Sequence, residues 1–450
     1  MRGMVVLLAL AQSAETVATD QAMAPTAAVA ESAPVAAEEP WPSVHFQATV
    51  ITQHHGSFAS PYAGANSLQP EEPRRTSETS TLFLGMRLPW EGGEFHVDPE
   101  IAGGEGFSGV TGIAGFPNGE MPRVSSPEPQ PYAARLFVRQ TFGLGGQREQ
   151  VAADQDQIAG WQSVRRVTVT VGKFAAPDLF DANSFSHNPR TQFENWALME
   201  NGAWDYPADT RGYTIGLTVE LNQPRWAVRY GFFTMPKVAN GMAYDFRLGK
   251  AHGQALELED RWTLGTHPGT VRVLAYRNDA HMGNYREAID RPGPNGPDIT
   301  LSETYSTKYG FGLNGEQEMT RYLGAFGRLG WNDGRTESFV FTEIDRTASF
   351  GLSLKGTGWH RPDDVVAVAA VVNELSRDHR DYLAAGGYGF IIGDGRLPHY
   401  EPEEIGELYY LFKLADHVFL TGDVGYVNHP AYNPDRGPVL VSGVRAHVEL

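Results

Sequence analysis

The sequence predicts an all-β protein: a transmembrane antiparallel β-barrel of about 16 strands whose longest loop folds inward and contains a short helix. Three observations support this. Apolar and polar residues alternate with a period of two in segment after segment, which places alternate side chains of a strand in two different environments. The links between these segments are alternately short and long, as on the two rims of an outer-membrane barrel. Beyond the N-terminal stretch, nothing approaches the run of about 20 apolar residues that a membrane helix requires, so a membrane protein of this sequence crosses with strands.

Composition agrees with this class. The chain has 450 residues, 50 of them glycine, with 11% aromatic and 41% hydrophobic residues, a balance that favours turns and strands over long helices. A formal charge of -18 without any basic run excludes nucleic acid as a partner, because phosphate binding needs clustered Lys and Arg. The absence of cysteine leaves the redox compartment open and suits an envelope protein without disulfides. Arg2, the apolar run at 4–11 and the small residues near Ala14 and Ala22-Met23-Ala24 read as a secretory signal peptide over 1–24. A buried N-terminal helix is the competing reading. The Ala/Pro/Glu-rich stretch at 25–42 has little to bury and reads as a disordered lead-in, which leaves 43–450 for the barrel.

The strands follow in order. Phe46, Ala48, Val50 and Thr52 share a face opposite His45, Gln47 and Thr49. Leu82, Leu84, Met86 and Leu88 oppose Thr81, Phe83, Gly85 and Arg87, and Phe95, Val97 and Ile101 oppose Glu94, His96, Asp98 and Glu100. Further strands are expected at 134–142, 167–171, 213–221, 226–232, 256–262, 271–276, 309–313, 323–331, 347–354, 366–372, 408–414 and 418–426. In the last, from Leu440 to Leu450, Leu, Val and Ala stand on the even positions against Arg445, His447 and Glu449. Such a strand in a closed barrel pairs with the first, with its greasy face on lipid and its charged face on the lumen. Long links at 54–76, 103–131, 174–210, 235–253, 278–303 and 373–404 alternate with tight ones. Two links break the pattern: 143–163 is long for a periplasmic turn, and 332–336 is short for an outer loop.

The segment GKFAAPDLFDANSFSHNPRTQFENWALMENGAWDYPADTRGY, 172–213, is the richest in chemistry. Asn188 before Pro189 predicts a helix start, and Gly202 its end. A loop of this size between strands can fold into a wide barrel and narrow it. Arg190, Phe193, Glu194, Asn195, Trp196, Trp204 and Asp205 are the expected constriction residues, since aromatic faces and polar forks together hold a polar, uncharged solute. A small core that plugs and stiffens the barrel is an equal reading of Phe193 and Trp196. On the wall, Arg135 and Arg139 lie on one inward face and Glu94, Asp98, Glu257 and Glu259 on others, with Arg261 on the same polar face as Glu257 and Glu259, as candidates for a lumen carrying both signs, and simple ion pairing is the alternative for each. No HExxH, P-loop or GxSxG occurs, so no catalytic residue or cofactor is expected. Adjacent His54 and His55 would point opposite ways on a strand, so no metal site is expected either.

The strings HGSFASPYAGANSL, VGKFAAPDLFDANSFSHNPRTQFENWALMENGAWDYPADTRGY, RYGFFTMPKVANG, HMGNYREA and NHPAYNPDRGPVLVSGVRAHVEL resemble those of the OprB-type carbohydrate-selective porins, over nearly the whole chain after about Ser43. The resemblance implies a sixteen-stranded barrel in the outer membrane of a Gram-negative bacterium that passes sugars by passive, weakly selective diffusion, constricted by the loop carrying Arg190 to Trp204. The chain departs from that pattern in ending at Leu450, where such barrels commonly end in Phe. Expected partners are sugars as solutes, outer-membrane lipid, the barrel-assembly machinery and, as one assembly, a homotrimer. An anion- or organic-acid-selective porin using Arg135, Arg139 and Arg190 is an alternative within the channel class. A secreted β-rich glycan-binding protein or glycan hydrolase is the alternative outside it.

Overall fold

The computed structural model describes residues 42–450 apart from Ser125; the expected signal peptide and all but the last residue of the lead-in lie outside the described residues. Sixteen strands form one closed barrel. They are β1 Ser43–His55, β2 Arg75–Arg87, β3 Gly93–Gly104, β4 Gln130–Gly143, β5 Arg166–Phe174, β6 Thr214–Asn222, β7 Trp226–Phe233 and β8 His252–Leu264. The second half comprises β9 His267–Met282, β10 Thr304–Glu318, β11 Leu323–Asn332, β12 Arg346–Lys355, β13 Val365–Glu374, β14 Glu403–Ala415, β15 Val418–Asn428 and β16 Val439–Glu449. Every strand pairs antiparallel with its sequence neighbours, and β16 closes on β1 from Gln47 opposite Glu449 to His55 opposite Val441. Beyond that ladder Phe46 and Leu450 exchange both main-chain hydrogen bonds, at 3.0 and 2.8 Å. The expected end-to-end closure is observed.

The period-two pattern sorts the side chains as the sequence predicts. On β16, Leu440 and Val444 are 56% and 53% exposed on the outer surface while Arg445 is fully buried within. The polar faces of β1, β2 and β3 likewise point inward, where Gln47, Thr49, Thr81, His96, Asp98 and Glu100 are all buried. Aromatic residues gather near the two ends of the strands: Trp90, Phe142 and Trp226 at the short-turn rim, and Tyr309, Trp331 and Tyr426 toward the long-loop rim, all exposed on the outer surface. Such girdles mark the two lipid–water boundaries of a membrane barrel.

Two connections need a physical account beyond the sequence pattern. Between β4 and β5 the chain forms a small hairpin, Arg148–Val151 paired with Gly160–Ser163, on the rim that otherwise carries tight turns. The link expected at 332–336 runs instead from 333 to 345, because β12 begins only at Arg346. Its segment Phe339-Val340-Phe341 is strand-like in composition, yet the amides of Phe339 and Val340 are taken by the Asp205 carboxylate at 2.8 and 2.7 Å, so it is held as loop and packs into the lumen.

The hydrophobic core of this molecule therefore lies inside the barrel and is built largely from loops. Phe107, Phe116, Phe180, Phe193, Trp196 and Phe339 from the long loops share one buried cluster with lumen-facing Phe326 and Tyr409 of the wall. We predict that Val444→Arg, which puts a charge on the lipid face near the middle of β16, destabilises the barrel by about 2–4 kcal/mol. Reversible denaturant unfolding in lipid bilayers is the measurement.

Candidate functional site

The loop between β5 and β6 crosses the lumen, and the wall opposite decides where it goes. Its helix is a single turn, Trp196–Met199, capped by the Asn195 side chain, which accepts from Ala197 N. The helix start expected at Asn188 is only a turn: Asn188 O accepts from Thr191 N and Gln192 N at 3.2 and 2.8 Å. Helix cannot continue from there, because the amides of Glu194 and Asn195 donate to the two carboxylate oxygens of Glu407 on β14, at 2.7 and 3.0 Å.

Most residues expected at the constriction hold the loop in place. Arg190 is buried, with Nε 2.9 Å from Glu120, Nη2 3.0 Å from Glu100 and Nη1 donating to Thr81 at 3.1 Å. Burial alone would raise the Glu120 carboxyl, but Arg190 and Arg123 hold it below its ordinary value. Phe193 packs edge-on against Tyr409 at 4.9 Å and tilted on Phe326 at 5.5 Å. Glu194 lies 3.1 Å from Arg445 and accepts from Gln53 at 3.0 Å; its burial pushes the carboxyl up to about 8, against the pull of Arg445. Asn195 also donates to Gly115 O at 2.6 Å, Trp204 is buried against Phe180 and Tyr206, and Asp205 sits 3.3 Å from Lys308. Trp196 differs from these: its indole N–H donates to Asn118 O at 2.7 Å while its ring reaches the surface of an open cavity.

The wall charges pair with neighbours on the adjacent strand or on their own strand instead of opposing one another across the lumen. Asp98 stands opposite Arg135 and Glu94 opposite Arg139 in the β3–β4 ladder, with N to O separations of 3.4 Å in both pairs. Glu257 accepts from Arg229 at 2.8 Å and from Asp181 N at 2.7 Å. Arg261 pairs with Glu259 at 2.8 Å.

Cavities remain within the loop-filled barrel, and two of them share lining residues. An outer one of about 680 Å³ is bordered by Arg75, Trp196, Tyr206, Asp209, Phe341 and Phe390, and an inner one of about 820 Å³ by Arg123, Arg135, Arg139, Arg166, Tyr206 and Arg229. Tyr206 and Gly212 border both, so the two cavities meet beside them at a neck. Trp196, Tyr206 and Phe341 form an aromatic floor on the outer side, with ring centroids 5.6 Å apart for Trp196–Phe341 and 4.7 Å for Tyr206–Phe341.

Next to the neck is a cluster that the sequence did not reveal. The Tyr213 hydroxyl donates to Glu100 at 3.1 Å, and Arg123, Arg135 and Lys173 stand 5.9, 5.5 and 5.5 Å from its ring centroid. Arg211 lies 3.8 Å over Tyr132, whose hydroxyl also binds Glu100. Four cations thus lie on two tyrosine rings anchored to one buried carboxylate, a geometry in which ring quadrupoles and the carboxylate offset the positive charge. The sequence offered Arg135 and Glu100 on polar strand faces and the string Thr-Arg-Gly-Tyr at the end of the inward loop, but not their meeting, since the members come from β3, β4, β5 and two loops.

A closed barrel, apolar outside and polar within, whose loops narrow it to a neck between two cavities, defines an outer-membrane diffusion channel. The chain belongs to the OprB family of carbohydrate-selective porins, whose sequence profile matches residues 74–450. Among solved structures it is similar to the high-pH structure of Pseudomonas putida OprB, with 16% identity over 91% of this chain and 94% of that one and a TM-score of 0.66. It is also similar to the outer-membrane channel DcaP of Acinetobacter baumannii, with 8% identity over 91% and 97% of the two chains and a TM-score of 0.51. Comparison with curated protein sequences finds no match. The protein is an outer-membrane porin of a Gram-negative bacterium for the diffusion of carbohydrates.

Because Arg190 neutralises Glu100 and Glu120 in a buried setting, Arg190→Ala strands two carboxylates. We predict a loss of about 3–5 kcal/mol from the packing of the inward loop, seen as protease cleavage within 175–213 while the barrel itself still resists heating in detergent.

Proposed function

We propose that sugars cross from the outer cavity to the inner one past Tyr206 and Gly212, with the aromatic floor of Trp196, Tyr206 and Phe341 as the contact surface. The observation that carries this reading is that both cavities share Tyr206 and Gly212 as lining residues. Apolar ring faces match the C–H patches of a pyranose, and the flanking Asp209 and Arg123 supply acceptor and donor groups for hydroxyls. Arg190, Phe193, Glu194, Asn195, Trp204 and Asp205 act in this reading by fixing the loop and so the width of the neck, while Trp196 touches the solute. Arg135 and Arg139 line the inner cavity, whereas Glu94, Asp98, Glu257 and Arg261 balance the charge of the wall.

No bond is made or broken in this reading, and the solute moves down its gradient. Outer-membrane lipid surrounds the barrel, the barrel-assembly machinery inserts it, and a homotrimer is the assembled form, which chemical cross-linking of intact outer membranes checks. An anion-selective pore is the second reading, favoured by Arg123, Arg135, Lys173 and Arg211 around the neck. Against it, Glu120, Asp178 and Asp209 pair with Arg123, Arg135 and Lys173 of that cluster.

Single-channel conductance in planar bilayers tests the proposal. Added mono- and disaccharides are expected to lower the ion current reversibly, and Tyr206→Ala and Trp196→Ala are each expected to weaken the half-blocking concentration by roughly 5- to 10-fold, as for loss of one stacking contact. A current that ignores sugar, together with a reversal potential of strong anion preference, would instead establish the second reading.

A further inference from the structure

The hairpin between β4 and β5 does not hang from the rim. The β4–β5 ladder continues past its last pair, Gly143 opposite Arg166, through Leu144 N to Arg165 O at 2.8 Å and Val164 N to Gln147 O at 2.9 Å, and resumes from Arg148 opposite Ser163 to Val151 opposite Gly160. Gly145 and Gly146 have no partners in that ribbon, and both hold positive φ, at 74° and 89°, a conformation that glycine adopts without strain. Extra residues on one strand of a ribbon bend it. Here the bend turns the tip back into the lumen.

The tip, closed by mutual main-chain bonds between Asp154 and Gln157 at 3.1 and 3.0 Å, then touches the lumen face of four consecutive strands. Gln155 donates to Gln47 of β1 at 3.0 Å, and Arg87 of β2 donates to Ala159 O. The Asp156 carboxylate lies 3.6 Å from His96 of β3 and 3.5 Å from Arg135 of β4, and Asp156 O accepts from Arg139 at 2.8 Å. Gly85 gives the tip room: a Cβ there would stand 3.3 Å from Ile158 and 3.2 Å from His96, a tight fit on both. Residues 154–157, with Gln162 and Arg166, line the inner cavity, so a solute leaving it passes this tip. A periplasmic turn whose only task is to join two strands needs none of these contacts.

We propose that residues 144–165 form a second filter at the periplasmic mouth, with Asp156 as its specificity-determining residue. This extends the reading that sugars leave through the inner cavity. The ribbon sets the free width of the exit. The Asp156 carboxylate joins Asp98 and Asp178 in offsetting Arg135 there, while its main-chain oxygen holds Arg139, so that an uncharged polyol meets a balanced wall and an anion meets cations that already have partners.

The test uses the full-length porin in planar bilayers and proteoliposomes. In one variant Asp156→Asn removes the carboxylate, and in a second the tip 152–159 is replaced by Asn-Gly, a two-residue hairpin link. Folding of each is verified by resistance of the barrel to unheated detergent on gels. The shortened ribbon is expected to raise conductance about two-fold or more and to let trisaccharides swell liposomes relative to monosaccharides faster than wild type does. Asp156→Asn is expected to move the reversal potential in a salt gradient toward anion preference with little change in conductance. Should the shortened ribbon not fold, Gln155→Cys provides a second route, because the chain otherwise has no cysteine. A thiol-reactive sulfonate attached there is expected to cut the current by at least half, by blocking the exit. Unchanged conductance and sugar cut-off with the shortened ribbon, or an unchanged current after complete labelling of Gln155→Cys, overturns the filter. If shortening widens the ion path while wild-type current ignores sugar, the filter stands and the sugar reading fails.

Discussion

The loops of this porin are held by wall carboxylates that accept main-chain N–H groups. Glu407 takes the amides of Glu194 and Asn195, Glu403 those of Ala114, Gly115 and Ala431, Glu257 that of Asp181 and Glu316 that of Ser184. Buried arginines answer for the carbonyls. Arg328 donates to Leu198 O and Ser186 O, and Arg445 to Pro189 O and Gln192 O. A loop entering a low-dielectric barrel carries peptide groups that must be paired, and bonds to ionised partners are the stronger kind. A polar lumen is therefore what allows irregular backbone to sit at membrane depth.

From this constraint the pore follows. Residues that pair a buried charge or fill a gap are no longer free to meet solute, which is why Arg190, Glu194 and Asp205 serve the loop. In the proposed reading, the solute meets the surface the loops do not cover: the aromatic floor on one side of Tyr206, and the cation–tyrosine cluster with its balancing acids on the other. The net negative charge of the chain is consistent with this arrangement, since many of its carboxylates are buried anchors and do not contribute to a surface field.

Strands and their inward faces could be read directly from the sequence, because a period of two survives in Leu440 to Leu450 whatever the loops do. The inward loop could be read as a unit but not residue by residue. Asn188-Pro189 carries a helix-start signal, yet Glu407, more than two hundred residues away, takes the amides that would have extended the helix. Tyr132, Lys173 and Tyr213 were invisible for the same reason: they meet only once the barrel closes. The segment at 337–345 misled in the opposite sense, since Asp205 competes with strand pairing for its amides. The long link after β4 stood out as an exception to the turn pattern, but nothing local in it showed that the tip returns to the lumen.

The seam between β1 and β16 has a kinetic consequence. Thr49 and His447, in contact at 2.8 Å, are separated by 398 positions in the chain, the kind of long-range contact that slows folding most. Until β16 arrives, β1 and the growing sheet both present open edges, which other chains can pair with. The seam is thus the most non-local pairing of the fold, and a sheet in which it has not formed has two edges open to other chains.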